Sequence, residues 1–348
     1  MAARDAETPP RHTLAVVGSS SMARSVREAL LEKRFPYSEV RLLGSGEGEV
    51  QIVEFDGEPR LILKAEPATL EGVHLAFFCE DPGSSGAFRG WPESGGFLAI
   101  DLTGGMGDGV PLADGGVSSA LPALHRGWIA AAHPLAHLLV SVLAPIEARI
   151  RLGAVRGVIL RPAADFGQAG LDELYQQSIN LFKFDELPRS VFERQLAFNL
   201  VPGEGVDGGR PLAPLIASQV GRILGREQDL NVSLFLAVAP VFHAHTVALH
   251  LELEGRPTEA ALRDLLRSSG DLQVGEDPLT AVEVADQSRP HVGLIRRDAD
   301  GRGAWIWAVA DRVPATGAAA AVRLAERMLR VEPRPGSGPR KRQPEERA

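Results

Sequence analysis

Thr13-Leu14-Ala15-Val16-Val17-Gly18 runs directly into Ser19-Ser20-Ser21-Met22-Ala23-Arg24. The apolar run reads as a strand covered on both faces, and Gly18 as the tight turn that ends it. Residues 21–32 then read as a helix. Strand, glycine turn and helix form the opening unit of a parallel α/β sheet. Working outward, strands are expected at 39–43, 50–55, 60–64, 73–78, 97–102 and 128–132. A helix opened by Pro134 follows, proline being favourable at a first helical position.

The second half has a different texture. Strands are expected at 155–160, 232–238, 246–252, 281–284, 292–296 and 304–309. Helices are expected at 169–181, 211–224, 258–266 and 315–329. In Thr246-Val247-Ala248-Leu249-His250-Leu251-Glu252-Leu253 polar and apolar residues nearly alternate, which suits a sheet with one exposed face. A parallel α/β unit followed by a mixed α+β unit is expected.

Bulk properties exclude several classes. A chain of 348 residues with net charge -8 gives a nucleic-acid role no electrostatic support. No apolar run is long enough to span a bilayer. Residues 1–11 are polar and carry no apolar signal core, so a cytoplasmic location is expected. Residues 1–11 and 331–348, rich in proline and charge, are expected to be disordered. The single cysteine, Cys79, excludes a disulfide framework.

Several motifs recur in order along the chain. They include Val16-Val17-Gly18, Ala131-Ala132-His133-Pro134-Leu135-Ala136-His137-Leu138 and Gly167-Gln168-Ala169-Gly170-Leu171-Asp172-Glu173-Leu174. Further on stand Ala197-Phe198-Asn199-Leu200-Val201-Pro202, Pro240-Val241-Phe242-His243-Ala244-His245 and Val292-Gly293-Leu294-Ile295-Arg296. Together they resemble the aspartate-semialdehyde dehydrogenase family from about Thr13 to Leu329. The resemblance implies a Rossmann-like NAD(P)-binding domain (12–133 with 314–330). It also implies an α+β dimerisation and catalytic-type domain with a mixed sheet (134–313), and a homodimer. NADP or NAD is the implied cofactor, held at Gly18, Ser19, Ser20, Ser21 and Met22. Membrane and nucleic-acid partners are not implied, and no small-molecule ligand is identified.

The same resemblance exposes losses. The family forms a thiohemiacetal on a cysteine, passes hydride to NADP and lets phosphate cleave the thioester, which needs a thiolate. The nucleophile position falls on Ala136. The positions of two anion-binding arginines fall on Val238 and near Gly107, and a substrate-orienting glutamine falls on Arg161. Of the catalytic set, the general base is kept, at His245. In the nucleotide fingerprint Arg24 stands where glycine normally lets helix and strand pack closely. Cys79-Glu80-Asp81-Pro82 puts carboxylates where an anionic cofactor would lie. A family member that has lost its thiol chemistry and serves in binding or regulation is the expected reading. The alternative is an oxidoreductase with altered chemistry, using His245 with a metal, or Cys79.

Cys79 is either a relocated nucleophile or a small half-buried residue at a strand end. His133, His137, His243 and His245 are either metal ligands or polar residues filling a wet, vacated pocket. The alternating strand at 246–253 is either simple half-buried sheet or, as the family pairs its subunits, a dimer interface.

Overall fold

The computed structural model describes residues 12–44, 51–80, 85–118, 121–203, 205–207 and 209–330. The expected disordered ends, and Asp81 with Pro82, lie outside the described residues. β1 (His12–Val17) leads into α1 (Ser21–Glu32) as the sequence predicts. The helix starts there because Ser20 caps it, its hydroxyl accepting the Ala23 N–H. β2 (Tyr37–Gly44), a ribbon of β3 (Ile52–Phe55) and β4 (Glu58–Leu61), and β5 (Leu63–Lys64) follow. Then come β6 (Leu75–Phe78), the short α2 (Trp91–Gly95), β7 (Leu98–Asp101), β8 (Leu112–Ala113) and β9 (Gly127–Ala131).

The first sheet has the order β5-β2-β1-β6-β7-β9-β8, and each of its pairings is parallel. Strand order reverses direction at β1, so a crevice opens beyond the carboxyl ends of β1 and β6. β6 and β7 are buried along their whole length, which explains their unbroken apolar sequence.

The second half contributes α3 (Pro134–Glu147), β10 (Leu152–Arg161), α4 (Gly167–Lys183) and β11 (Val201–Pro202). A small ribbon of β12 (Val206–Asp207) and β13 (Arg210–Pro211) precedes α5 (Leu212–Ile223). β14 (Asn231–Val238), β15 (His245–Leu253), α6 (Glu259–Arg267), β16 (Gln273–Val274), β17 (His291–Arg297), β18 (Gly303–Ala310) and α7 (Val313–Leu329) complete the described residues. The second sheet runs β11-β14-β10-β15-β18-β17-β16. It is mixed: β10–β14 and β16–β17 are parallel, the other pairs antiparallel.

One face of this sheet packs under α3, α5 and α6, with Ile159, Leu236, Val247, Leu249 and Ile306 in one apolar cluster. Gly157 has no side chain because a Cβ there would stand 2.8 Å from Leu249 and 2.9 Å from Leu234. The other face is open. Phe235 pairs with Val158, Val158 with Ala248, and His250 with Trp305, so these residues share that face. α7 returns to the first sheet, where Ala318, Ala321 and Val322 join Leu14, Val16 and Val26 in one core.

Two expectations are corrected. Residues 281–284 form turns, not a strand. Thr280 donates its N–H and hydroxyl to Glu283, and the N–H groups of Glu283 and Val284 return to the Thr280 carbonyl. These local bonds coil the segment and bury Val284 beside Val309. The sheet edge is taken by β16 instead. The described region 51–64 also leaves the first sheet for the most part, because Asp56 and Gly57 both have positive φ and close a tight β3–β4 hairpin. From it, β5 alone joins the sheet.

Candidate functional site

The candidate site is a crevice where the turn after β10 meets the loop before β15. Ala163 and Ala164 donate their N–H groups to the carbonyls of Val241 and Phe242. That backbone lock brings Asp165, in the turn after β10, to His245 at the start of β15. Asp165 Oδ2 lies 3.0 Å from His245 Nε2 and accepts the Arg161 Nε–H at 2.7 Å. Burial works against ionisation of Asp165, but His245 and Arg161 outweigh it and hold its pKa below the ordinary carboxylate value. The result is a buried carboxylate bridging an imidazole and a guanidinium. Ala244, where the resembled pattern has glycine, sits at φ 69°, a left-handed conformation that alanine adopts at a cost of about 1 kcal/mol.

His133 enters the same crevice at the N-terminus of α3. It caps that helix, Nδ1 accepting the Leu135 N–H at 3.1 Å, so Nε2 carries the proton and points toward Asp207 Oδ2, 4.0 Å away. The chain is held here by Gln219 of α5, whose side-chain oxygen accepts the His133 N–H at 2.7 Å. Burial lowers the His133 pKa to about 4, with Arg161 and His245 adding to the shift and Asp165 opposing it. The β12–β13 ribbon closes over this end, Arg210 donating to the Gly104 carbonyl at 3.1 Å.

His133 gives a measurable pH dependence. Between pH 6.5 and about 4 the folded imidazole stays neutral while the unfolded one binds a proton. Stability therefore falls as pH drops through that window. His133→Asn keeps a capping oxygen and removes the titration. Urea unfolding at both ends of the window is expected to show a slope shallower by about 2 kcal/mol in the variant. An unchanged slope would contradict the assignment.

The expected site residues are thus partly united. His133, Arg161 and His245 meet. Ala136, in the first turn of α3, is fully buried in the core under the second sheet. His137 turns to Asp114 instead, Nδ1 to Oδ2 at 2.7 Å. His243 lies in an exposed turn. Among the described residues no group of three or more His, Cys, Asp or Glu is placed to hold a metal ion, so the four histidines do not form the convergent cluster their spacing allowed. Val238 is buried at the end of β14, and Gly107 opens a short turn at φ 72°. Asp165, Asp114 and Asp207 escaped the sequence reading, since they lie 80, 23 and 74 positions from the histidines they face.

At the first sheet Gly18 has φ 133°, and a Cβ there would stand 2.8 Å from the Cys79 carbonyl carbon. The glycine is thus demanded by the neighbouring strand end. Ser20 donates its hydroxyl to the Cys79 carbonyl at 2.6 Å, while Ser19 and Ser21 are exposed and Met22 half-buried. Arg24 is exposed and does not obstruct packing, which is carried by buried Ala23 and Val26. The Cys79 thiol is buried in the core. Burial, together with Asp101, pushes its pKa far up against the partial relief of Arg27, so it is held as the unreactive thiol.

With this geometry the relatives can be placed. The family profile for the semialdehyde dehydrogenase dimerisation domain matches residues 143–314. An aspartate-semialdehyde dehydrogenase of Prochlorococcus marinus is 28% identical over 332 residues, 91% of this chain and 96% of that protein. In sequence and in structure the chain is similar to aspartate-semialdehyde dehydrogenases. A USG-1 protein homolog of Pseudomonas aeruginosa is also 28% identical to this chain, over 91% of it and 97% of the relative. The structure of a probable aspartate-semialdehyde dehydrogenase from Pseudomonas aeruginosa superposes with TM-score 0.82 at 25% identity, covering 92% of this chain and 99% of that one. No helix among the described residues is long and apolar enough to cross a membrane.

Proposed function

We propose that this chain is a non-catalytic relative of aspartate-semialdehyde dehydrogenase that keeps the scaffold and acts by binding or regulation. The observation that carries this is the position of its groups. The nucleophile position is a buried methyl, Ala136, and the one cysteine is a protonated thiol inside the core of the other sheet. His245, the inherited base, is bound to Asp165, which also accepts from Arg161.

The pure protein with aspartate semialdehyde, phosphate and NADP is expected to show no NADPH formation. Ala136→Cys is expected to stay silent too, because the anion-binding positions are Val238 and Gly107 and a buried side chain cannot meet substrate. Phosphate-dependent turnover by the native chain would overturn the proposal.

On this proposal the chain has a nucleotide-type unit, residues 12–133 with 314–330, and a pairing unit, residues 134–313. An aspartate-semialdehyde dehydrogenase of Candida albicans with the same fold (TM-score 0.70, 16% identity) was solved with NADP. In this chain exposed Ser19 and Ser21 at the start of the twelve-residue α1 leave a surface for a dinucleotide phosphate. A rise in melting temperature with NADP in the same preparation tests that half of the proposal; no rise removes it. A homodimer through the open face of the second sheet and a cytoplasmic location complete the reading. The open face carries exposed Phe235, Val158, Leu294 and Trp305, all inside the segment matched by the dimerisation profile.

A further inference from the structure

His137 follows Ala136 by one helical step of α3 and so points to a different side. Its ring is 3% exposed, and its Nδ1 is bound to Asp114. The other carboxylate oxygen of Asp114 accepts the N–H groups of Gly116 and Val117. Burial works against its ionisation, but His137 and these N–H groups prevail and hold its pKa below the ordinary value. Nδ1 therefore donates to a carboxylate, which fixes the ring and aims Nε2 the other way. Nε2 makes no hydrogen bond among the described residues.

The ring lines a cavity of about 380 Å³ between α1, α7 and the segments that precede β16 and β17. That volume suits a small-molecule site. Its floor is open because Ala29, Ala315 and Ala319 carry only methyl groups. The cavity also gathers four cations from three parts of the chain: Lys33, Arg289, Arg312 and Arg323. Two are balanced, Arg312 by Glu28 at 2.9 Å and Arg323 by Asp271. Glu32 also lines the cavity, exposed to solvent and with an interaction of its own. Lys33 makes no ion pair among the described residues, and Arg289 reaches only the Gly270 carbonyl, at 3.5 Å. Burial and Arg323 lower the Lys33 pKa, against Glu326, Asp271 and Glu32.

We infer that this cavity is a binding site for a small phosphorylated molecule, its phosphate held by His137 Nε2, Lys33 and Arg289. Lys33 and Arg289 donate to the oxygens of a tetrahedral oxyanion, and Nε2, with the ring proton committed to Asp114, accepts from a phosphate hydroxyl. Asp114 fixes the ring so that Nε2 faces the ligand. The site stands apart from the crevice around His245 and does not rest on the loss of catalysis.

Calorimetric titration of the full chain with glycerol 3-phosphate, inorganic phosphate and citrate tests the inference. Saturable binding of glycerol 3-phosphate is expected, weakened at least about tenfold in Lys33→Met/Arg289→Ala. These residues are half-buried and exposed, so the variant is expected to fold, which circular dichroism checks. Equal affinity for inorganic phosphate supports the site and assigns the phosphate group alone as ligand. Tighter binding of citrate, unchanged affinity in the variant, or no saturable heat with either phosphate compound overturns it.

Discussion

Gly115→Ala is expected to destabilise the fold by about 3 kcal/mol or more, the largest effect of any single methyl added in the described chain. A Cβ at Gly115 would stand 2.1 Å from the Ala320 carbonyl oxygen and 2.3 Å from the Leu324 nitrogen. Both are backbone atoms inside α7, so relief requires moving a helix that also packs on α1 and α3. The adjacent Gly116→Ala is the control. Its Cβ would meet the ends of the Arg323 and Asp271 side chains, at 2.7 and 2.8 Å, and such ends swing aside at little cost. Urea midpoints should separate the two variants widely. A Gly115→Ala protein no less stable than Gly116→Ala would show that α7 does not rest on this loop.

Phe235→Asp is expected to turn a dimer into a monomer while leaving the subunit folded. Phe235 is already 55% exposed, so little packing inside the subunit is lost. In a two-fold pairing the same patch faces itself, and a buried unpaired carboxylate on each copy is strongly unfavourable. At concentrations where the native chain sediments as a dimer, the variant should sediment as a monomer, its dissociation constant raised at least about a hundredfold. A native chain that is monomeric throughout, or a variant that still pairs, would remove this face as the interface. Either result leaves the catalytic proposal untouched.

What the sequence disclosed follows the range of the forces involved. β1, the Gly18 turn and α1 were legible because periodicity and capping act within a few residues. The continuous runs of β6 and β7 announced burial on both faces. Residues 281–284 misled because Ala-Val-Glu-Val has strand character, while the deciding bonds come from Thr280 and Glu283. Asp56-Gly57 is a tight-turn dipeptide, so the β3–β4 hairpin is legible in the sequence.

The site was half legible. Motif order brought His245, His133 and Arg161 to one crevice, but their shared partner, Asp165, lies in a turn whose neighbours are set by backbone bonds to residues 241 and 242. His137 was grouped with His133 on spacing four. The helix turns them to opposite tasks: His133 caps it, and His137 meets a carboxylate 23 residues earlier.

The return of α7 to the first sheet has a consequence for the order in which the protein can be completed. Leu14 and Val16 emerge first in synthesis, yet the helix that seals their face, with Ala321 and Val322, is made last. The ion pair between Glu28 and Arg312 spans 284 positions. Closing so long a loop is entropically slow, so the N-terminal sheet must wait, partly uncovered, for nearly the whole chain. A ribosome-bound nascent chain therefore carries an exposed apolar face until its final helix arrives, and early termination leaves that face bare.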